Sequence, residues 1–188
     1  SIFIICLSAL SICLHKILAQ DDIIIGTPLL NRPTEKEKLT IGMFIETIPV
    51  RLQVNPDLKF EEFVQMVAEN WREMRNHRYP YNLLLEDIRT KQKLNSNLYD
   101  IMLSFQNARF IPWMAFKTFY FASGSEANSL CFHISDRDNT GQLYVDIDYQ
   151  VALFEKEEVE SLYKSVLSII EAALNNPARR ITDLALLS

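Results

Sequence analysis

The first fourteen residues, Ser1 to Leu14, are almost wholly apolar, and polar residues return at His15-Lys16 and at Gln20-Asp21-Asp22. That run predicts a buried helix over 2–19. It is too short for a membrane span, and no basic stretch precedes it as one would precede the apolar core of a secretory leader. Ile23-Ile24-Ile25 is a continuous β-branched run stopped by Gly26, the pattern of a strand covered on both faces. Residues 27–38, with Pro28, Pro33 and mixed charge, read as a loop. From Thr47 to Val54 the alternation is clean, with Ile48, Val50, Leu52 and Val54 on one face and Thr47, Pro49, Arg51 and Gln53 on the other. Pro49 has no N–H for a ladder, so this strand lies at a sheet edge or carries a bulge.

Asn55-Pro56-Asp57 turns the chain into a helix over 59–76, where Phe60, Phe63, Val64, Val67, Trp71 and Met74 form one apolar stripe. A second helix starts at Pro80 with Tyr81, Leu84, Leu85 and Ile88 inward, followed by a polar linker over 89–97. Tyr99, Ile101, Leu103 and Phe105 then alternate with Asp100, Met102, Ser104 and Gln106 as a strand. Further strands are expected at 116–121, 130–134 and 143–149, with Asp138-Asn139-Thr140-Gly141 as a hairpin turn between the last two. A final helix over 155–174 turns Val159, Leu162, Tyr163, Val166, Ile170, Ala173 and Leu174 inward. The fold class is α/β, a mixed β-sheet flanked by helices.

Size and charge narrow the function. The 188 residues are 48% hydrophobic and 23% charged, the proportions of one globular domain or one lobe of a larger one. Nineteen Lys and Arg against 24 Asp and Glu leave a net charge of −5, a poor match to nucleic-acid phosphates. No GxGxxG or GxxxxGK[ST] loop is present to cradle a phosphate. Cys6, Cys13 and Cys131 are odd in number and unpatterned, which argues against a disulfide framework or a zinc site and for a reducing, cytoplasmic compartment. The chain opens at Ser1 inside an apolar helix, which reads as a piece of something longer.

Candidate chemistry is sparse. His15, His77 and His133 lie too far apart for an HExxH metal site, and no GxSxG elbow marks a nucleophile. His133, in Phe132-His133-Ile134-Ser135-Asp136, has the look of an acid–base histidine with an orienting Asp, or of a solvent-facing histidine at a strand end. His77 sits between two helices, where a structural or surface role is the default. Residue types alone stop at an α/β domain without a visible catalytic centre.

Longer segments carry more. Ile41-Gly42-Met43-Phe44-Ile45-Glu46-Thr47-Ile48-Pro49-Val50-Arg51 closely resembles the fifth core motif of nonribosomal peptide synthetase condensation domains, I-G-x-F-V-N-T-x-x-x-R. Asn76-His77-Arg78-Tyr79-Pro80-Tyr81-Asn82 is similar to the sixth, H/N-Q-D-Y-P-F-E. Ile24-Ile25-Gly26-Thr27-Pro28 with Asn31-Arg32 resembles the family's V-V-G-T-P…R, and Leu98 to Asn107 resembles its seventh motif and the following strand. Asp148-Tyr149 and Leu153-Phe154 also follow the family style. The segments keep the family's order over nearly the whole chain.

The resemblance implies one lobe, the C-terminal one, of a chloramphenicol-acetyltransferase-like fold in which two similar lobes form a V around a channel. It implies amide-bond formation between thioesters borne on the phosphopantetheine arms of two carrier proteins, with no cofactor or metal bound to this chain directly. The partners implied are the N-terminal lobe of the same domain, peptidyl and aminoacyl carrier domains and an adjacent adenylation domain, with no nucleic acid and no membrane. Phe44, Glu46, Thr47, Arg51, Ser104 and Gln106 fall where the channel wall is expected, and Gly42, Tyr79 and Pro80 where the motifs need shape. Each also has a plainer reading: Gly42 for close packing, Phe44 as core, Arg51 paired with a carboxylate. Glu46 stands where the family has Asn, Asn82 where it has Glu, and Arg78 where it has Asp.

The family's His-His-x-x-x-Asp-Gly motif is not matched. His133 has Phe132 before it and Arg137 where Asp is required, and it lies downstream of the fifth and sixth motifs. The chain is therefore expected to hold no catalytic residue and to be inactive alone. The alternatives are an epimerisation domain or related acyltransferase, and a non-catalytic scaffold or carrier-docking lobe.

Overall fold

The apolar opening run folds as α1 (Ile2–Leu18), in which Ile4 and every residue from Leu7 to Leu14 are buried. The computed structural model describes residues 1–77, 79–92, 97–106, 120–121, 124–125, 127–136 and 141–187. Among these no helix is long and apolar enough to cross a membrane. α1 ends at Ala19 in the left-handed conformation, and β1 (Asp22–Leu29) follows. Gly26 does not stop this strand; it lies inside it, and Thr27 to Leu29, expected as loop, continue the ladder.

The remaining elements are α2 (Glu35–Lys38), β2 (Glu46–Gln53), α3 (Phe60–Asn76), α4 (Tyr81–Gln92), β3 (Ile101–Gln106), β4 (Leu130–Ser135), β5 (Tyr144–Tyr149) and α5 (Lys156–Asn175). The polar residues from Arg89 to Gln92 extend α4 rather than open a linker. Most of the strand expected at 116–121 and of the hairpin turn at 138–141 lies outside the described residues. The described pair Tyr120-Phe121 is not in a strand. The sheet is five-stranded in the order β2-β1-β3-β4-β5, so Pro49 does lie on an edge strand. β3 is parallel to β1, with Gly26 opposite Met102, and parallel to β4, with Ile101 opposite Leu130 through Gln106 opposite Ser135.

The chain forms two compact units. The first comprises Ser1–Ile25, Val50–Arg78 and Tyr149–Ser188. In it α1 packs against both α3 and α5. From α3, Phe60, Phe63 and Val67 are buried, while Trp71 is half-buried with its ring centroid 4.8 Å from that of Phe3. From α5, Val159, Val166, Ile169 and Ala173 are buried, but Leu174, expected inward, is exposed. The first-turn N–H groups of a helix have no partner within it. For α3 the C-terminal tail supplies partners: Phe60 donates to the Arg179 carbonyl at 2.9 Å and Glu61 to that of Pro177 at 3.0 Å. Glu62 reaches back to the Lys59 N–H at 2.9 Å. The tail returns the favour, with Ile181 donating to Leu58 and Thr182 to Pro56, both at 3.0 Å.

The second unit comprises Gly26–Pro49 and Tyr79–Asp148, including α2, α4 and β3 to β5. Ile48, Leu103, Leu130, Cys131, Phe132 and Ile134 are among its buried apolar strand positions.

The α3 stripe yields a graded expectation. Phe63→Ala empties a fully buried site and should cost about 3–5 kcal/mol, whereas Trp71→Ala at its half-buried position should cost roughly half as much. Denaturant melts of the two variants check the order; equal losses would mean that Trp71 is as deeply packed as Phe63.

Candidate functional site

The motif residues of the second unit meet around one aromatic ring. A Cβ placed on Gly26 would clash with the ring of Tyr99, 2.8 Å from Cζ and closer still to Cε2 and Cδ2. Tyr99 therefore does not begin the alternation of β3. It precedes the strand and lies over Gly26, on the face that also carries Met102, the register partner of that glycine. The Thr47 side chain lies within reach of its hydroxyl, and burial pushes its phenol pKa up. The ring of Tyr81 lies 5.4 Å away, tilted by 48°.

Tyr81 is the first residue of α4. Its backbone N–H donates to Glu46 Oε1 at 3.3 Å, and its hydroxyl accepts from the Leu98 N–H at 3.5 Å. The Glu46 carboxylate thus sits at the positive end of the helix dipole, and Pro80, expected to open the helix, stands just before it with its carbonyl accepting from the Leu84 N–H at 3.0 Å. Thr47 and Glu46 of the fifth motif and Tyr81 of the sixth are brought together. Tyr79 is exposed, and its hydroxyl donates to Asp87 Oδ2 at 3.5 Å. Arg78 lies outside the described residues.

Phe44 is held from a different side. The Arg32 guanidinium lies over its ring, Cζ 4.2 Å from the centroid. The same guanidinium donates through Nη1 to the Glu37 and Thr40 carbonyls, the latter at 2.6 Å, and through Nη2 to that of Gly42 at 2.7 Å. Gly42 has φ +156°, a backbone that L side chains rarely adopt, and a Cβ there would touch Phe44 Cε2 at 3.4 Å. The neighbouring apolar side chains face solvent: Leu39, Ile41 and Met43 are 85%, 101% and 93% exposed.

Arg51 is engaged in the first unit. Its Nε and Nη2 donate to Asp22 at 2.9 and 2.7 Å, an exposed bidentate pair that holds the Asp22 carboxyl below its ordinary pKa. This is the plainer of its two expected roles.

On β3, Ser104 is buried and Gln106 exposed, and their register partners on β4 are His133 and Ser135. His133 is not solvent-facing. Its side chain is 14% exposed, and both ring nitrogens are shielded without a hydrogen-bond partner. Nε2 stands 3.5 Å from Asp148 Oδ2, an ion-pair distance for a protonated ring but not a formed hydrogen bond. Asp136, the carboxylate adjacent in sequence, instead accepts from the Gly141 N–H at 3.2 Å. Tyr120 donates its hydroxyl to Asp148, and its ring lies 5.2 Å from that of His133. Burial first, then the hydrogen bond and charge of Asp148, push the Tyr120 phenol far above its ordinary value.

Among the described residues no group of His, Cys, Asp and Glu could hold a metal ion. Burial pushes the Cys13 thiol up to about 12, which makes it a packing residue and not a nucleophile.

The Condensation domain family model matches residues 1–188. Surfactin synthase subunit 1 of Bacillus subtilis (strain 168) is 34% identical over 187 residues; the match covers 96% of this chain and 5% of that protein. A four-domain nonribosomal peptide synthetase solved with AMP and glycine superimposes with a TM-score of 0.88 at 18% identity, over 100% of this chain and 16% of its own. The complex of the X-domain and OxyB from teicoplanin biosynthesis superimposes at 0.76 with 27% identity, over 100% of this chain and 43% of that one. The chain thus spans a small part of the relatives it matches, and the fold is the chloramphenicol-acetyltransferase-like one expected.

Two expectations follow. Gly26→Ala should destabilise by roughly 1–3 kcal/mol, because the methyl must displace the Tyr99 ring, and much of that loss should return in Gly26→Ala/Tyr99→Ala. An unchanged melting temperature in the single variant would show that the ring moves aside freely. Tyr120 has its pKa raised above 10.0, so it favours folding fully below about pH 10 and progressively less as pH rises through the raised value. Tyr120→Phe should therefore have the flatter stability profile above pH 10, measured by denaturant unfolding; parallel profiles would contradict this.

Proposed function

The chain belongs to the condensation-domain family, and from that premise we propose that it is the C-terminal lobe of a domain that joins two carrier-bound thioesters by an amide bond. The amine of the acceptor attacks the donor's thioester carbonyl, the carbon–sulfur bond breaks, and the carrier's phosphopantetheine thiol leaves. This lobe contributes binding and orientation, which can lower such a barrier by several kcal/mol without any covalent role. Phe44, Thr47, Ser104 and Gln106 line the substrate path. Glu46 borders it while anchoring α4, and Arg51 holds the strand through Asp22. The partners are the N-terminal lobe, carrier domains and an adenylation domain, and the free thiols suit a cytoplasmic synthetase.

The observation that carries this reading is the joining of the fifth and sixth motifs through Glu46, Tyr81, Tyr99 and Thr47. Residues far apart in sequence but fixed on one another form a rigid wall, which is what positioning two substrates demands.

A second reading is a non-catalytic docking lobe. The X-domain relative, 27% identical, was solved bound to another protein, OxyB, and residues 39–43 here expose three large apolar side chains. The test compares the intact synthetase with Phe44→Ala and Thr47→Val variants in assays of peptidyl product on both loaded carriers. The condensation reading expects about a tenfold or greater loss of product with adenylation unchanged. The isolated 188-residue chain should make no product above the uncatalysed background. Full product formation by both variants, with binding of a second protein lost on Leu39→Asp, would replace it with the docking reading.

A further inference from the structure

We propose that Arg32 is the positioning residue that fixes the fifth-motif segment and the Phe44 ring. The inference deepens the condensation reading, since it rests on Phe44 lining the substrate path. From Pro33 to Ile45 no residue is buried, so no apolar anchor determines the shape of this stretch. α2 has only four residues, far fewer than an isolated helix needs to persist, although Thr34 and Glu37 cap its start reciprocally. A single guanidinium replaces the missing core. It ties the Glu37, Thr40 and Gly42 carbonyls together and covers Phe44.

The chemistry requires arginine. Its planar fork can donate to several carbonyls at once while its face lies on an aromatic ring, and its charge suits the carbonyl end of α2. A lysine offers a point charge with no flat face. Gly42 completes the arrangement, because its carbonyl reaches Arg32 from a backbone conformation that a side chain would strain.

The experiment uses the intact synthetase with Arg32→Ala, Arg32→Lys, Phe44→Ala and the Arg32→Ala/Phe44→Ala double variant. Amide hydrogen exchange over residues 34–45, the melting temperature, and kcat and KM for the acceptor carrier are measured. In Arg32→Ala, exchange over 34–45 should quicken about tenfold while the melting temperature barely moves, because the segment has no core to lose. Arg32→Lys should restore little of the protection. Product formation should fall as far in Arg32→Ala as in Phe44→Ala, and the double variant should be no worse than either, the mark of two residues acting through one contact. Unchanged exchange in Arg32→Ala, or full rescue by lysine, overturns the proposal. Faster exchange in Arg32→Ala together with wild-type turnover in Phe44→Ala supports the positioning role and sinks the substrate-path reading.

Discussion

Between β1 and the residue that leads into β3 there is room for an aromatic ring only because position 26 carries no side chain. Once Tyr99 occupies that space its hydroxyl reaches Thr47, its face receives Tyr81, and Tyr81 starts α4 with its N–H on Glu46. Four stretches, from Gly26 to Tyr99, are thereby referred to one ring. Each contact is modest alone. A single hydrogen bond or ring pair contributes on the order of 1 kcal/mol. Their value is geometric, because Tyr81 and Tyr99 are each held by more than one of the others.

The parts of the fold that were legible in sequence are those written as periodicity or as a missing donor. The α3 stripe declared its buried face, and Pro49 put its strand at an edge, where β2 lies. Gly26 was misleading for a physical reason: a glycine in a β-branched run signals a stop by propensity, yet here it admits another residue's ring, and nothing local records that ring. Tyr99 fitted the alternation of β3 but belongs to the other side of it. Arg89 and Lys91 looked like linker because helical polar residues and loop residues share a composition.

The candidate site divides the same way. Motif order named Phe44, Glu46 and Thr47, but not what holds them. The clip at Arg32 takes three backbone carbonyls, and carbonyls carry no sequence signature. His133 shows the converse error. Its neighbour in sequence, Asp136, turns to Gly141, while the carboxylate that approaches it, Asp148, comes from the next strand of the sheet. Adjacent strands place distant residues side by side, and only register decides which ones.

The two edges of the sheet bear on how the protein stays separate from its own copies. An edge strand offers a row of open backbone donors and acceptors that invites another strand to add. On β2 the row lacks the donor of Pro49 and carries the exposed charge of Arg51; on β5 Asp146 adds a carboxylate at the opposite border. An incoming strand of the same sequence, in the β5-to-β5 register, would have to bring like charges together and, on β2, forgo a ladder bond. Strand addition is thereby disfavoured at both borders of the sheet.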